Sequence, residues 1–541
     1  MTTLKGKSVS QGYAIGKAYC YDRQKPEISK KNIKDTVSEI ERFEAARSRA
    51  CEELDSLYEK AKNNMEDSEA EIFEIHRMML DDLDYIDSVH QIINNDSVCA
   101  EYAVNETSNI FAENFASMED NEYMQARATD VKDISDRVIA ILLDKNTSLI
   151  LSEPSIIVTD DLMPSETVSI DRSMLLAIVT SKGSANSHTS ILARTLGIPA
   201  VVMTEGTDCI SNGDNLIVDA SAGCVYICPE PELIEQYDNK IRQQREHAKQ
   251  LNDLIGKENI TADGSKTIKI FANIGSPSDV DSVLSNDAGG IGLFRSEFLY
   301  LESETYPDEE KQFKAYKEVL ERMQGREVVI RTLDIGADKK IDYFELPKED
   351  NPALGFRAIR ICLERPEIFK TQLRALLRAS AFGNLLIMFP MIASEWEVDA
   401  AISAVNEVKD ELKRENIEFD ENVRLGIMIE TPAAAVMSDV LAKKVDFFSI
   451  GTNDLTQYTL AADRQNETIS RFVDTHNEAV LRLIELTAKN AHEAGIWVGI
   501  CGELAADTDL TERFLKMDID ELSMSPKRIL DVRAEVRSIE L

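Results

Sequence analysis

The sequence predicts a multidomain α/β chain: a small α/β domain that carries an inserted helical bundle, a linker helix, and a C-terminal (β/α)8 barrel. Three observations predict it. At 541 residues the chain is too long for one ordinary domain. Gly and Pro nearly vanish between about Glu27 and Leu143, where apolar residues recur at helical spacing, and short β-rich runs follow from Ser155. From about residue 259 onward, eight apolar strand-like runs alternate with helical stretches, and eight βα units close naturally into a parallel barrel. An open doubly wound sheet has the same rhythm, because alternation does not count closure.

Residues 4–21 read as short strands around Gly12 and Gly16. Val37 to Lys62 is one helix, with Ile40, Phe43, Ala46, Leu54 and Leu57 on one face. Asp67 to Met79 and Tyr85 to Ile93 form a second helical region, broken near Asp81–Asp84. Ala100 to Ala116 and Arg127 to Leu143 complete four antiparallel segments that bury their stripes as a bundle. The runs SIIVT, MLLAIV, AVVM, NLIVDA and VYIC make a compact α/β domain ending near Pro229. The first 20 or so residues are too short to fold alone and are expected to pack with it. The expected division is therefore residues 1–20 with 145–229, an insertion at 21–144, a linker at 230–258 and a barrel at 259–541. The linker, Glu232 to Leu254, is highly charged with sparse apolar positions, as an exposed helix would be. The barrel strands are read from KIFANI, GIGLFRSEF, VVIRTLDIG, LLIMFPMI, LGIMIE, FFSIGTND, WVGICGE and ELSMS.

Acidic residues outnumber basic ones, 97 to 60, for a formal net charge of −37. This argues against nucleic acid or an anionic membrane as partner, and suits a basic protein partner. Acidity that only aids solubility is equally compatible. The start, MTTLKGKSVSQG, has no charged-then-apolar leader, and no uninterrupted apolar run of about 18 residues follows, so a soluble cytoplasmic protein is expected. The eight cysteines lie singly, apart from Cys224 and Cys228, and no second pair completes a zinc site.

The stretch GSANSHTSILAR, Gly183 to Arg194, joins a buried strand to a helix through small residues. His188 stands near that helix start, where backbone N–H groups favour an anion, as on a phosphorylated imidazole. An ordinary loop histidine fits the same stretch. Polar groups also gather where the barrel strands end, which is where this fold builds its ligand site. Arg295, Arg331 and Arg357 would repel one another there unless an anion shared them, and Arg suits bidentate contact with phosphate. Surface ion pairs are the alternative. Glu430 and Asp454 suit Mg²⁺ beside a phosphate, or each caps the helix that follows. Cys501 is a plausible proton donor or a packed thiol. His76, on an apolar helix face, suits packing or a partner interface.

The segment around His188, with GLFRSEF, RTLDIGADK, NPALGFRAIR, MFPMI, IETPAA, SIGTNDLTQYTLAADR and CGELA, resembles the enzyme I family of the bacterial sugar phosphotransferase system. The likeness extends through EIFEIHRMMLDD and YMQARATDVKDISDRV in the helical insertion. The barrel motifs are shared with pyruvate phosphate dikinase and phosphoenolpyruvate synthase, but no glycine-rich nucleotide loop is found here, and the helical insertion selects enzyme I. The resemblance implies a swivelling phosphohistidine domain around His188 and a phosphoenolpyruvate-binding barrel that joins two chains as a homodimer. It implies that Arg295 and Arg331 hold the phosphate, with Arg357 and Lys339 nearby, and that Arg464 and the backbone near Asn453 meet the carboxylate. Glu430 and Asp454 would ligate Mg²⁺, and Cys501 would protonate the enolate to give pyruvate. His188 would then pass the phosphoryl group to a histidine-containing phosphocarrier protein docked on the helical domain. The family's Gly-Gly-x-Thr-Ser before the histidine is Gly183-Ser184-Ala185-Asn186-Ser187 here. Ser184 would restrict a turn that needs positive φ, and Asn186 replaces a threonine hydroxyl. Three rivals stay open: a phosphoenolpyruvate-sensing regulatory protein, a dikinase-like fragment with a separate nucleotide domain, and a carbon–carbon lyase of the same barrel superfamily.

Overall fold

The computed structural model describes residues 2–21, 28–64, 67–116, 122–144, 151–163, 166–167, 170–184, 187–301, 303–336 and 341–541. The chain forms two compact units, residues 1–246 and 247–541.

The first unit is built on an eight-stranded sheet of β1 (Thr2–Lys5), β2 (Lys7–Ser10), β3 (Tyr13–Cys20), β4 (Ser155–Thr159), β5 (Leu175–Thr180), β6 (Ala200–Val202), β7 (Asn215–Asp219) and β8 (Cys224–Ile227). The spatial order is β1-β8-β7-β3-β4-β5-β6-β2. β3, β4, β5 and β6 run parallel in the middle, and the antiparallel pairs lie outside them. Gly16 lies inside β3, where a Cβ would meet the Leu176 side chain. β3 and β4 are direct neighbours, Lys17 opposite Ser155, although more than a hundred residues separate them.

That interval holds α1 (Thr36–Asn64), α2 (Asp67–Leu80), α3 (Leu83–Asp96), α4 (Ala100–Ala116) and α5 (Glu122–Leu142). Their apolar stripes meet in one core that includes Phe43, Leu54, Phe73, Tyr85, Val104 and Val138. The break after α2 is enforced by Asp82, whose carboxylate accepts from the N–H groups of Asp84 and Tyr85 at 2.8 and 3.1 Å and so starts α3 afresh. His76 is fully buried, its two ring nitrogens 3.3 Å from Asp130 and 3.8 Å from Asp133, so it packs and offers no surface to a partner. The charged linker is the helix Pro231–Asn252, whose one buried residue, Tyr237, donates to Asp219 at 2.7 Å.

The second unit is a closed parallel barrel, which decides against the open sheet. Its strands are β9 (Lys269–Ile274), β10 (Ile291–Arg295), β11 (Glu327–Arg331), β12 (Asn384–Phe389), β13 (Arg424–Ile429), β14 (Phe447–Ile450), β15 (Trp497–Ile500) and β16 (Glu521–Met524). Closure comes from β16 pairing with β9, Glu521 opposite Lys269. Residues such as Ile330, Ile387 and Ile427 pack outward into the core shared with the surrounding helices. Leu293, Val329, Leu386, Met388, Met428, Phe447 and Cys501 fill the inside. Gly426 leaves the space that the Phe447 ring occupies, and that ring stacks on Trp497 at 4.6 Å.

Candidate functional site

The loop after β5 is shaped by Gly183, whose φ of +99° only glycine adopts freely. Ser184 does not share the left-handed conformation, so the strain expected of it is absent. Its carbonyl instead accepts from the hydroxyls of Ser187 at 3.0 Å and Ser190 at 2.6 Å. Ser187 caps the helix His188–Leu196 by accepting from the Ser190 N–H, and Gly197 closes it at φ 65°. His188 is thus the first residue of a capped helix. Thr189 fastens the same turn by donating to Asp161 at 2.8 Å. Asn186 lies outside the described residues, as does Lys339 in the barrel.

The remaining eight candidates line one cavity of about 800 Å³: Arg295, Arg331, Arg357, Glu430, Asn453, Asp454, Arg464 and Cys501. Arg295 and Arg331 end neighbouring strands and are register partners. For Arg331 and Arg357 the expected repulsion is answered by the protein itself rather than left to an outside anion. Asp334 bridges Arg331 and Arg357, each at 2.9 Å, and Glu297 takes the other side of Arg331 at 2.5 Å. Burial works against the charge of both arginines. Asp334, with Glu297 for Arg331 and Asp454 for Arg357, outweighs it and holds both above the ordinary guanidinium range. Tyr458 adds a 3.2 Å contact to Arg357 and donates to the Ala353 carbonyl. Arg295 and Arg464 are exposed, and neither side chain has a partner among the described residues. The cavity therefore holds two clamped guanidiniums and two whose charge is unanswered.

Glu430 and Asp454 do not cap helices. Thr431 caps Pro432–Val436, and the helix Thr452–Leu460, which contains Asp454, starts at Gly451 without a side-chain cap. Glu430 accepts from the Met391 N–H at 2.6 Å, and a Cβ on Gly451 would come within 2.9 Å of its other oxygen. Burial raises the Glu430 pKa, Asp454 and Asp334 add to the rise, and Arg331 and Arg357 oppose it. Two neighbouring carboxylates, one of them buried, are a donor set that Mg²⁺ accepts together with ligand oxygens and water. Among the described residues no group of three or more His, Cys, Asp or Glu forms a metal cage. Asn453 and Glu503 fix each other: the amide donates to the carboxylate at 3.2 Å, and the Glu503 N–H donates to the amide oxygen at 3.1 Å. Cys501 is 3% exposed, and burial pushes its thiol up to about 12, against Ser449 and Arg331. It is held as a thiol, the form that can give a proton.

Sequence reasoning overlooked Glu297 and Tyr458. Glu297 stands two residues past Arg295 in GLFRSEF, a spacing that signals a partner for the next strand's arginine only once the strands are paired.

Three family profiles match successive stretches: "PEP-utilising enzyme, N-terminal" over residues 5–127, "PEP-utilising enzyme, mobile domain" over 151–223, and "PEP-utilising enzyme, PEP-binding domain" over 248–541. The chain is 44% identical to a phosphoenolpyruvate-protein phosphotransferase of Priestia megaterium over 99% of its own length and 94% of that protein's. It is 46% identical to one of Bacillus subtilis, over 100% of this chain and 95% of that one. A solution structure of an enzyme I protein is 35% identical, covering 45% of this chain and 99% of that chain, with a TM-score of 0.40.

Proposed function

The chain belongs to the phosphoenolpyruvate-protein phosphotransferase family, and from that premise we propose that it moves the phosphoryl group of phosphoenolpyruvate to His188 and then to a histidine of a small phosphocarrier protein, releasing pyruvate. The observation that carries this reading is the gathering of eight candidate residues around one cavity with a divided set of arginines. Arg331 and Arg357, clamped by Asp334, form a preorganised seat for phosphate oxygens, and Arg295 brings unanswered charge to the same group. Arg464 and the backbone at Asn453 take the carboxylate. Glu430 and Asp454 would hold Mg²⁺, which when bound offsets charge on the phosphate and on the enolate oxygen.

Nε2 of His188 attacks phosphorus, the P–O bond to the enol oxygen breaks, and a covalent phosphohistidine divides one transfer into two. The Cys501 thiol gives its proton to the methylene carbon of the enolate, and pyruvate leaves. His188 and the cavity belong to different units, so the transfer requires the α/β domain to carry the helix start to the barrel and away again. Residues 1–20 with 145–229 serve as that swivelling domain, 21–144 as the carrier-docking domain, 230–258 as the linker, and 259–541 as the substrate and homodimer domain. Among the described residues no helix is long and apolar enough to cross a membrane, in keeping with work in the cytoplasm. The sensor and dikinase-fragment alternatives are not favoured.

The test is incubation with labelled phosphoenolpyruvate, Mg²⁺ and no nucleotide. Wild type takes up acid-labile, base-stable label. His188→Ala binds phosphoenolpyruvate but takes up none, and a variant labelled at the wild-type rate would overturn the assignment.

A further inference from the structure

Beneath Cys501 the barrel interior holds an acid that the mechanism above leaves unused. Glu521, the first residue of β16, is 1% exposed. Its Oε2 has no hydrogen-bond partner, and the nearest cation, Lys269, is committed to Glu327 at 2.5 Å. Leaving a buried carboxyl unpartnered is costly, so its place calls for an explanation.

The surroundings supply one. Ser449 on β14, Gly499 on β15 and Glu521 on β16 are successive register partners, so they form one layer across three strands. Gly499 and Cys501 are two residues apart on β15 and its continuation, so they share the inward face, with Cys501 one layer nearer the mouth. Ser449 shares the inward face of Phe447 in the same way. A Cβ on Gly499 would lie 3.0 Å from the Glu521 Cβ and 3.3 Å from its carboxyl carbon. Glycine therefore opens the way between the Glu521 carboxyl and the Ser449 hydroxyl. A second glycine, Gly292, leaves space for the carboxyl on the opposite side, where a Cβ would collide with it and with the Ser523 hydroxyl. The Ser449 hydroxyl lies near enough to the Cys501 thiol to ease its ionisation, yet it is buried without a hydrogen-bond partner, while the thiol itself donates to the Ile450 carbonyl at 3.7 Å. Burial keeps Glu521 protonated near neutrality, pushed up to about 8, with Lys269 opposing and Glu327 and Asp520 adding to the rise.

We propose that Glu521 is the proton store for Cys501 and that Ser449 passes the proton between them. The inference rests on the reading of Cys501 as the donor. When the S–H bond breaks and its proton forms the new C–H bond of pyruvate, a thiolate remains. The thiolate takes the Ser449 hydroxyl proton, directly or through one water, as the Glu521 O–H bond breaks to refill the serine. The resulting carboxylate regains a proton from water at the N-terminal mouth, beside Lys269 and Glu327. Nothing is oxidised or reduced.

Exchange of pyruvate methyl hydrogens for deuterium, followed by NMR on the full chain with Mg²⁺ in heavy water, isolates the carbon-protonation step. Single-turnover labelling of His188 by phosphoenolpyruvate is measured on the same samples. In E521Q and S449A the exchange rate should fall about tenfold or more beyond any fall in labelling, and S449T, which keeps the hydroxyl, should restore it. Exchange unchanged in E521Q or S449A would overturn the proposal. So would losses of exchange and labelling in equal proportion, because a packing role predicts that. C501A separates the two levels. Exchange that survives C501A refutes the donor itself, whereas exchange lost there but kept in E521Q and S449A refutes only the supply route.

Discussion

Arg295 and Arg331 face each other in register, yet they should fail in different ways when truncated. Arg331 is 7% exposed and pairs with Glu297 at 2.5 Å and Asp334 at 2.9 Å. Arg331→Ala would leave Glu297, itself 3% exposed, without that counter-charge, while Asp334 keeps Arg357 at 2.9 Å. Removing one member of a buried pair costs roughly 3–5 kcal/mol, and the surviving Asp334–Arg357 pair sets the expectation at the lower end, about 3 kcal/mol. Arg295→Ala removes an exposed side chain without a partner and should change stability by no more than about 0.5 kcal/mol. Both variants should lose phosphoenolpyruvate binding, because both guanidiniums line the cavity. The assay is denaturant unfolding followed by tryptophan fluorescence. The two tryptophans, Trp396 and Trp497, both belong to the second unit, so the signal reports the barrel alone. Adding Glu297→Gln to Arg331→Ala should recover part of the loss, since the buried carboxylate that lost the Arg331 counter-charge is then neutral. If Arg331→Ala were as stable as Arg295→Ala, the claim that the protein's own carboxylates clamp the arginines would be refuted.

Three further outcomes follow from the same cavity and barrel. Glu521 has a folded pKa of about 8 against an ordinary 4.5, so folding disfavours its ionised form. The stability tied to its neutral form is fully present below the ordinary value and is lost as pH rises to about 8. E521Q should therefore gain on wild type by up to about 1.4 kcal/mol per pH unit across that window in the tryptophan assay, and a difference flat with pH would count against the neutral acid. Iodoacetamide at pH 8 should modify the exposed Cys209 and Cys228 and spare Cys501 until the barrel unfolds, which mass spectrometry checks; equal rates would show an accessible thiolate. Removing divalent cations with EDTA should abolish labelling of His188 while shifting barrel stability by no more than about 0.5 kcal/mol, and E430Q with Mg²⁺ present should show the same loss; labelling that persists in EDTA would remove the metal from the reading.

What could be read from the sequence, and what could not, divides along one physical line. The strands of a parallel barrel are covered on both faces, so they appear as unbroken apolar runs, and KIFANI through ELSMS were locatable without any partner. Candidate residues at the ends of those runs were locatable for the same reason, because a strand's end fixes where its last side chain lies relative to the mouth. Closure was not visible, since it depends on residues 521–524 meeting 269–272 across the whole domain. Partnerships were hidden likewise. Asp334 was visible as a polar residue after a strand, but that it reaches both Arg331 and Arg357 depends on how two βα loops fold back. Glu521 was hidden most deeply: it opens the run ELSMS, and in a strand buried on both sides alternation does not tell inward from outward. The electrostatic argument from sequence assumed that converging arginines need an outside anion. In the folded barrel two of those three, Arg331 and Arg357, carry their own, so the charge left for a ligand is that of Arg295, together with Arg464, which lines the same cavity.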